Sequence, residues 1–356
     1  LDALRIPEHA YVNSETDAAH CCGHHAQMAG IFGAALALTV PEIAEKLGGQ
    51  VVFFATPAEE YGEIEFKNQL REQGKIRYGG GKCELIRTGA FDDIDLCLAH
   101  HIQPGDEIQV GSGTGNGFVS KVIRYLGKAA HAAGAPDKGV NALSAASIGL
   151  QALGLNRETF RDEDCVRVHP IITKGGNLVN VIPDEIVIET LVRAKTIEAF
   201  TDAAKKTDRS FQAGAVAMGA KVEITTLPGY LPTLAEQALP ELKRAAELAA
   251  PEVPVREAAG HSGGSTDVGD VQHLMPVYTF NTGGVKGGLH QINFEVTNEE
   301  EAYIDTAKMF ALAAYGLLKE KAARSKELVK NYKPVFKDSA EYTKFMEQFD
   351  SKEVLD

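Results

Sequence analysis

The chain alternates between short unbroken apolar runs and Ala-rich stretches with helical spacing. Residues 50–56 (QVVFFAT) form a continuous β-branched and aromatic run, the pattern of a strand covered on both faces. Residues 95–99 (DLCLA) predict a second short strand that ends at His100 and His101. Residues 26–39, rich in Ala, Leu and Met and free of Pro, predict a buried helix before both. Between the strands, 59–82 is polar and ends in Gly79-Gly80-Gly81, which reads as a surface excursion carrying a short helix.

From about Gly115 the texture changes. Residues 118–125 alternate like a strand, 141–153 suit a helix, and 166–173 and 185–194 suit strands. Residues 196–219 are helical by pattern and 221–226 form another strand. The order β-α-β-β-α-β is that of a ferredoxin-like sandwich. Because the first texture returns after Gly229, this unit is predicted to be inserted. The returning part predicts a helix at 234–249, a strand at 276–280 and a long amphipathic helix at 298–322 with Thr297 as its cap. The tail from Ser325 is charged and only weakly patterned. The fold class is thus α/β, with a catalytic-type domain over 1–114 and 227–356 and an inserted domain over 115–226.

Composition narrows the function classes. A length of 356 residues suggests two domains, and 44% hydrophobic residues supply a core, which excludes wholesale disorder. No stretch reaches the roughly 18 uncharged apolar residues of a membrane span. A net charge of −13 disfavours nucleic acid and anionic lipid and leaves small molecules or proteins as partners. Five Cys, two of them adjacent, are no disulfide framework and fit a reducing cytoplasm. The chain opens at Leu1 without a signal-like segment, as a processed chain or a fragment would.

Candidate chemistry clusters in four places. His20-Cys21-Cys22-Gly23-His24-His25 packs thiol and imidazole, ligands favoured by zinc and its neighbours, before a predicted helix; the alternative is a packing or redox cysteine beside surface histidines. Pro57-Ala58-Glu59-Glu60 follows a predicted buried strand, where sites of open α/β sheets lie. One carboxylate there can bind a metal while its neighbour takes a proton from water; the alternative is an acidic helix start. His100-His101 ends the second predicted strand, and His290 sits in a Gly-rich loop. Outside this set, His131 lies among small residues, where a turn histidine is the plainer reading, and Gly263–Asp267 offers hydroxyls for an anion or a helix cap.

Taken together, these motifs resemble the metal-dependent aminoacylase and carboxypeptidase family. The nearest branch is that of amidohydrolases cleaving N-acyl amino acids, such as indole-acetyl-amino-acid and aminobenzoyl-glutamate hydrolases. The carriers are Cys22-Gly23-His24, Pro57–Glu60, His101 with Pro104, Ala130-His131-Ala132, Asn180–Pro183, and Ser265-Thr266-Asp267 with His290 downstream. The resemblance runs from Leu1-Asp2-Ala3-Leu4 to at least Ala314. It implies a three-layer catalytic domain with a mixed, mostly parallel sheet, and a ferredoxin-like lid that mediates a homodimer. It implies two divalent ions, zinc or manganese, on Cys22, His24, Glu60, His101 and His290, with Glu59 as general base. It further implies that His131 reaches a partner's site to stabilise the oxyanion, and that Asn180, Arg193 and Ser265 hold an acyl-amino-acid or dipeptide substrate. His25 stands where the branch has Asp or Asn, His100 competes with His101, and 61–77 is longer than the family's turn. The family's sheet starts before Asp2, so its first strands are expected to be missing. Two rivals stay open: a dipeptidase or aminopeptidase, and a non-catalytic binding protein on a decayed scaffold.

Overall fold

The structure, a computed structural model, describes residues 2–356. Leu1, where the resemblance begins, lies outside the described residues. Helices α1 (His24–Leu38), α2 (Ile64–Glu72) and α3 (Gly81–Arg87) precede strands β1 (Cys97–Ile102) and β2 (Ile108–Val110). Next come β3 (Gly117–Leu126), α4 (Ala142–Asn156), β4 (Arg167–Val168), β5 (Ile171–Lys174), β6 (Glu185–Ala194), α5 (Ile197–Met218) and β7 (Lys221–Pro228). The chain continues through α6 (Pro240–Ala249), β8 (Val255–Glu257), α7 (Val268–Gln272) and β9 (Val277–Thr282). It closes with α8 (Thr306–Asn331), α9 (Ser339–Met346) and β10 (Ser351–Leu355).

The first sheet has the order β8-β2-β9-β1 and is mixed. β9 runs parallel to β1 and β8 to β2, while β9 and β2 are antiparallel. Side chains alternate across it, as the pleat requires. Val277, Cys97 and Ala99 pack with Cys83, Ile86 and Val271 of α3 and α7. Tyr278, Phe280 and Leu98 pack on the other face with Ala34, Leu242, Met309 and Phe310 of α1, α6 and α8. Helices therefore cover both faces of this sheet, which makes three layers.

The run at 50–56 corrects the sequence reading, because it makes no strand. It pairs with no strand, and among the described residues nothing pairs with the outer edge of β1. Val52 and Phe53 are exposed, and Phe54 alone finds a partner, stacking on Phe91 at 4.6 Å. Strand propensity is realised only where a neighbour supplies ladder groups. The helix predicted at 234–249 starts only at Pro240, since Leu234 N–H donates to Gln272 Oε1 (2.9 Å) instead. Thr297 is not a cap: its hydroxyl donates to Gly284 O (3.5 Å), and Asn298 Oδ1 accepts from Glu301 N (3.3 Å).

The second sheet has the order β10-β7-β3-β6-β4, with β5 also on β6, and every pairing is antiparallel. The run predicted as one strand at 166–173 is split into β4 and β5. α4 and α5 lie against this sheet through Ala142, Ala145, Phe211, Tyr125, Ile188 and Val222. Asn141 caps α4 by accepting from Leu143 N (2.9 Å) and Ser144 N (3.0 Å). Gly219, at φ 63°, ends α5 in the left-handed conformation that glycine tolerates.

The tail is the larger correction. Far from being weakly patterned, it buries Phe336, Tyr342, Met346 and Phe349 and adds β10 to the second sheet. Residues 351–355 thus leave the catalytic-type half to which the sequence reading gave them. Asp350 pairs with Arg71 (2.8 Å) and Arg77 (3.0 Å), and Tyr78 donates to Thr343 O (3.2 Å). The Tyr342 hydroxyl donates to Asp270 Oδ1 (2.8 Å), and burial pushes that carboxyl up to about 8. Removing this hydroxyl leaves a buried polar atom short of a partner. Tyr342→Phe is expected to lower unfolding free energy by about 1–3 kcal/mol, read from urea denaturation; an unchanged midpoint would contradict this anchoring.

Candidate metal centre

Cys22 and His24 meet through a turn that only Gly23 permits. Its φ is +78°, and a Cβ there would lie 2.0 Å from Ile102 Cγ2. His24 opens α1, and its Nδ1 is 3.0 Å from Asp2 O, which turns Nε2 toward the carboxylates. Nε2 lies 3.8 Å from Glu60 Oε1 and 3.9 Å from Glu59 Oε2. The strand β1 contributes His101. Its Nδ1 is 2.6 Å from Ile102 O, and its Nε2 is 3.4 Å from Cys22 Sγ. His290, at φ 63° with its N–H donating to Cys21 O (2.8 Å), brings Nε2 to 3.3 Å from Cys22 Sγ and 3.2 Å from Glu60 Oε1.

The Glu-Glu segment is held by its backbone. Ala58 and Tyr61 both have positive φ (57° and 52°), a costly conformation for residues with a Cβ. Tyr230 donates its hydroxyl to Glu59 O (2.7 Å) and Ala58 O (3.3 Å), Gly81 N–H donates to Ala58 O (3.2 Å), and Glu60 N–H donates to Asp2 Oδ2 (2.7 Å). A Cβ on Gly81 would sit 1.7 Å from Pro57 O, so the Gly run is what lets α3 approach this turn. Glu59 and Glu60 start no helix, which removes the helix-start reading of the pair.

Three overlapping groups have donor atoms within 4.8 Å of one another: Cys22, His24 and His101; Cys22, Glu60 and His290; and His24, Glu59 and Glu60. Glu60 Oε1 is buried and faces His290 Nε2 at 3.2 Å and His24 Nε2 at 3.8 Å, a convergence of donors that a cation would fill. Burial, reinforced by Glu60, pushes the Cys22 thiol far above its ordinary range, whereas a divalent cation deprotonates a thiol it binds. Burial and His24 drive His101 down to about 4, which keeps it neutral, the form that ligates. Burial and then Asp267 push Glu59 up to about 7, while Lys82 opposes them. A thiol, three imidazoles and a carboxylate fit a transition-metal site.

The structure separates the remaining candidates. His100, one residue from His101, points to the opposite face of β1, buried against Phe280 and Phe310 with Nε2 2.8 Å from Thr282 Oγ1. His25 is turned away from His24 by one helical step and faces His20 and Tyr303. Neither belongs to a cation-holding group among the described residues. Arg193 lies over Phe118 at 5.9 Å, and burial, opposed by the charges of Glu60 and Glu59, lowers its proton affinity. Ser265 Oγ is buried and unpartnered, two residues from Asp267 of the Lys82 pair. His131 and Asn180 are exposed and share a loop pair where Ala132 N–H donates to Asn180 O (3.0 Å). His131 Nδ1 accepts from Gly134 N (2.9 Å), as a hydrogen-bonded turn histidine does, rather than the ligand approach its small neighbours would allow.

Sequence reasoning missed three positioning groups. Asp2 was visible only as part of a motif, Tyr230 only as an aromatic after Pro228-Gly229, and Lys82 only as the residue after the Gly run. Lys82 Nζ lies 2.5 Å from Asp267 Oδ1, and its N–H donates to Asp267 Oδ2 (2.9 Å). Asp267, rather than capping α7, is consumed by this buried pair.

Comparison with known proteins bears on the same residues. The model of peptidase family M20/M25/M40 matches residues 1–315. The Xaa-Arg dipeptidase of Mus musculus is 27% identical over 325 residues, which cover 88% of this chain and 67% of that protein. A p-aminobenzoyl-glutamate hydrolase polypeptide of Escherichia coli (strain K12) is 30% identical over 176 residues, 49% of this chain and 32% of that one. A dinuclear metal-binding peptidase of Bacillus subtilis shares the fold with a TM-score of 0.57 at 23% identity, covering 89% of this chain and 80% of the other. The chain belongs to peptidase family M20/M25/M40 and is a metal-dependent hydrolase of amide or peptide bonds.

Proposed function

We propose that this enzyme hydrolyses the amide bond of N-acyl amino acids, aminobenzoyl-glutamate-like substrates among them. The observation that carries the reading is the gathering of Cys22, His24, Glu60, His101 and His290 around one point with Glu59 at its rim. These five residues would hold two divalent ions, zinc or manganese. Bound there, the ions supply Lewis-acid polarisation of the scissile carbonyl and acidify a water. Glu59 takes the proton from the attacking water and hands it to the leaving amine. Arg193, without a carboxylate within ion-pair distance among the described residues, receives the substrate's carboxylate, and Ser265 and Asn180 add hydrogen bonds. The dipeptidase reading draws its support from the Xaa-Arg dipeptidase relative.

The division into a catalytic part (1–114 with most of 227–356) and a ferredoxin-like lid (115–226) belongs to this proposal. So does a homodimer through the lid. Its support is an apolar edge: Ile171, Ile172, Leu178, Val179 and Val181 are exposed along β5 and the loop after it. His131 lies beside that loop, bridged to Val181, and would act in the partner's site. No described helix is long and apolar enough to cross a membrane. All five cysteines are free, which suits a reducing cytoplasm.

Glu59→Gln is expected to cut kcat by at least about 1,000-fold while metal content by elemental analysis stays at about two per chain; near-normal turnover would remove Glu59 from its role. Exhaustive chelation should abolish turnover, and re-addition of zinc or manganese should restore it; activity that survives metal removal would refute the mechanism. Mixing inactive Glu59→Gln and His131→Ala chains should regain activity, because the heterodimer pairs an intact base with the partner's His131. No recovery, with mixed dimers demonstrated, would contradict action of His131 in the partner's site.

A further inference from the structure

The excursion at 61–77 is not absorbed by the mechanism, yet it starts at the residue after Glu60. Tyr61, its first residue, is buried and fixed: its hydroxyl donates to Pro228 O (2.6 Å), and its ring meets Phe118 at 5.1 Å and Tyr230 at 5.5 Å. Phe118 and Tyr230 are 4.7 Å apart, so the three rings form one cluster, tied to the Glu59 backbone through the Tyr230 hydroxyl. Two cations sit on it. Arg193 lies over Phe118 at 5.9 Å, and Lys67 of α2 lies over Tyr61 at 4.9 Å.

Among the described residues, Lys67 has no carboxylate within ion-pair distance. The charges nearest in effect are Asp2, Asp267, Glu63 and Glu59. Asp2 is engaged by Glu60 N–H and Asp267 by Lys82. An aromatic face holds an ammonium in place without neutralising it. Lys67 is half-buried on the ring cluster that adjoins Glu60 through Tyr61, so its charge is partly desolvated, and among the described residues it lacks an anion.

We infer that Lys67 is a specificity-determining residue that receives a second carboxylate of the substrate, the first being taken by Arg193. The enzyme would therefore favour doubly anionic acyl-amino acids and reject those with a cationic side chain. This inference rests on the amidohydrolase reading above and deepens it. The second carboxylate can belong to the amino acid, as in an acyl-glutamate, or to a dicarboxylic acyl group.

The test compares kcat/KM for N-benzoyl-glutamate against N-benzoyl-glutamine, and for N-succinyl-norleucine against N-butyryl-norleucine. The metal-loaded wild type should favour the dianion in at least one pair, and the preferred pair identifies the source of the carboxylate. In Lys67→Gln that preference should shrink by about 10- to 100-fold, chiefly through KM, as loss of a charged hydrogen bond implies. Lys67→Arg should restore most of it, which separates charge recognition from a packing defect. A wild type that favours neither dianion, or a preference that Lys67→Gln leaves intact, overturns the inference while the amidohydrolase reading stands. Failure to cleave any of the four substrates overturns both.

Discussion

Mutual repulsion and desolvation would scatter the donors of the candidate centre if they were free to move. Cys22, His24, Glu60, His101 and His290 fall into overlapping groups whose donor atoms lie within 4.8 Å of one another, Cys22 and His24 buried and His290 at the exposed side. Buried groups of this kind are costly without a partner. The backbone bears that cost through specific anchors. The Gly23 turn, Asp2 on both His24 and Glu60, Tyr230 on Glu59, and the Cys21 carbonyl on His290 each fix one donor segment. A divalent cation is the group that would convert this strained collection into a stable one.

The fold provides the anchors by bringing distant segments to one end of the first sheet. β1 and β9 run parallel, so His101 and the loop carrying His290 leave the sheet in the same direction. The second sheet meets this end through Phe118 and Tyr230, whose rings pack on Tyr61. The tail completes the junction. β10 lengthens the second sheet, while Tyr342 and Asp350 hold on to α7, α2 and the loop before α3. The two sheets are thus joined both at the centre and through the C-terminal segment.

Local pattern was legible where it governs structure. β6 occupies 185–194, end to end as the sequence predicts, and the strand and helix order of the inserted unit was legible apart from the split of 166–173. The five metal-type donors were legible as motifs because thiols and imidazoles are rare in such density. The run at 50–56 shows the limit: its composition is that of a strand, but a ladder needs a neighbour that sequence does not place. His100 and His101 are indistinguishable by type and are separated only by pleat direction. The tail's apolar residues are too widely spaced among charges to read as a core, and they are buried because two other segments come to meet them. Asp2, Tyr230 and Lys82 act by backbone and ion-pair contacts that no local spacing announces.

The central claim is that Cys22 joins histidines and a carboxylate around one cationic centre. X-ray absorption at the zinc edge, on protein reconstituted with zinc, tests it most directly. A sulfur shell near ~2.3 Å alongside nitrogen and oxygen near ~2.0 Å is expected, with the sulfur lost in Cys22→Ser. A spectrum with nitrogen and oxygen neighbours only, identical in the wild type and Cys22→Ser, would contradict the account.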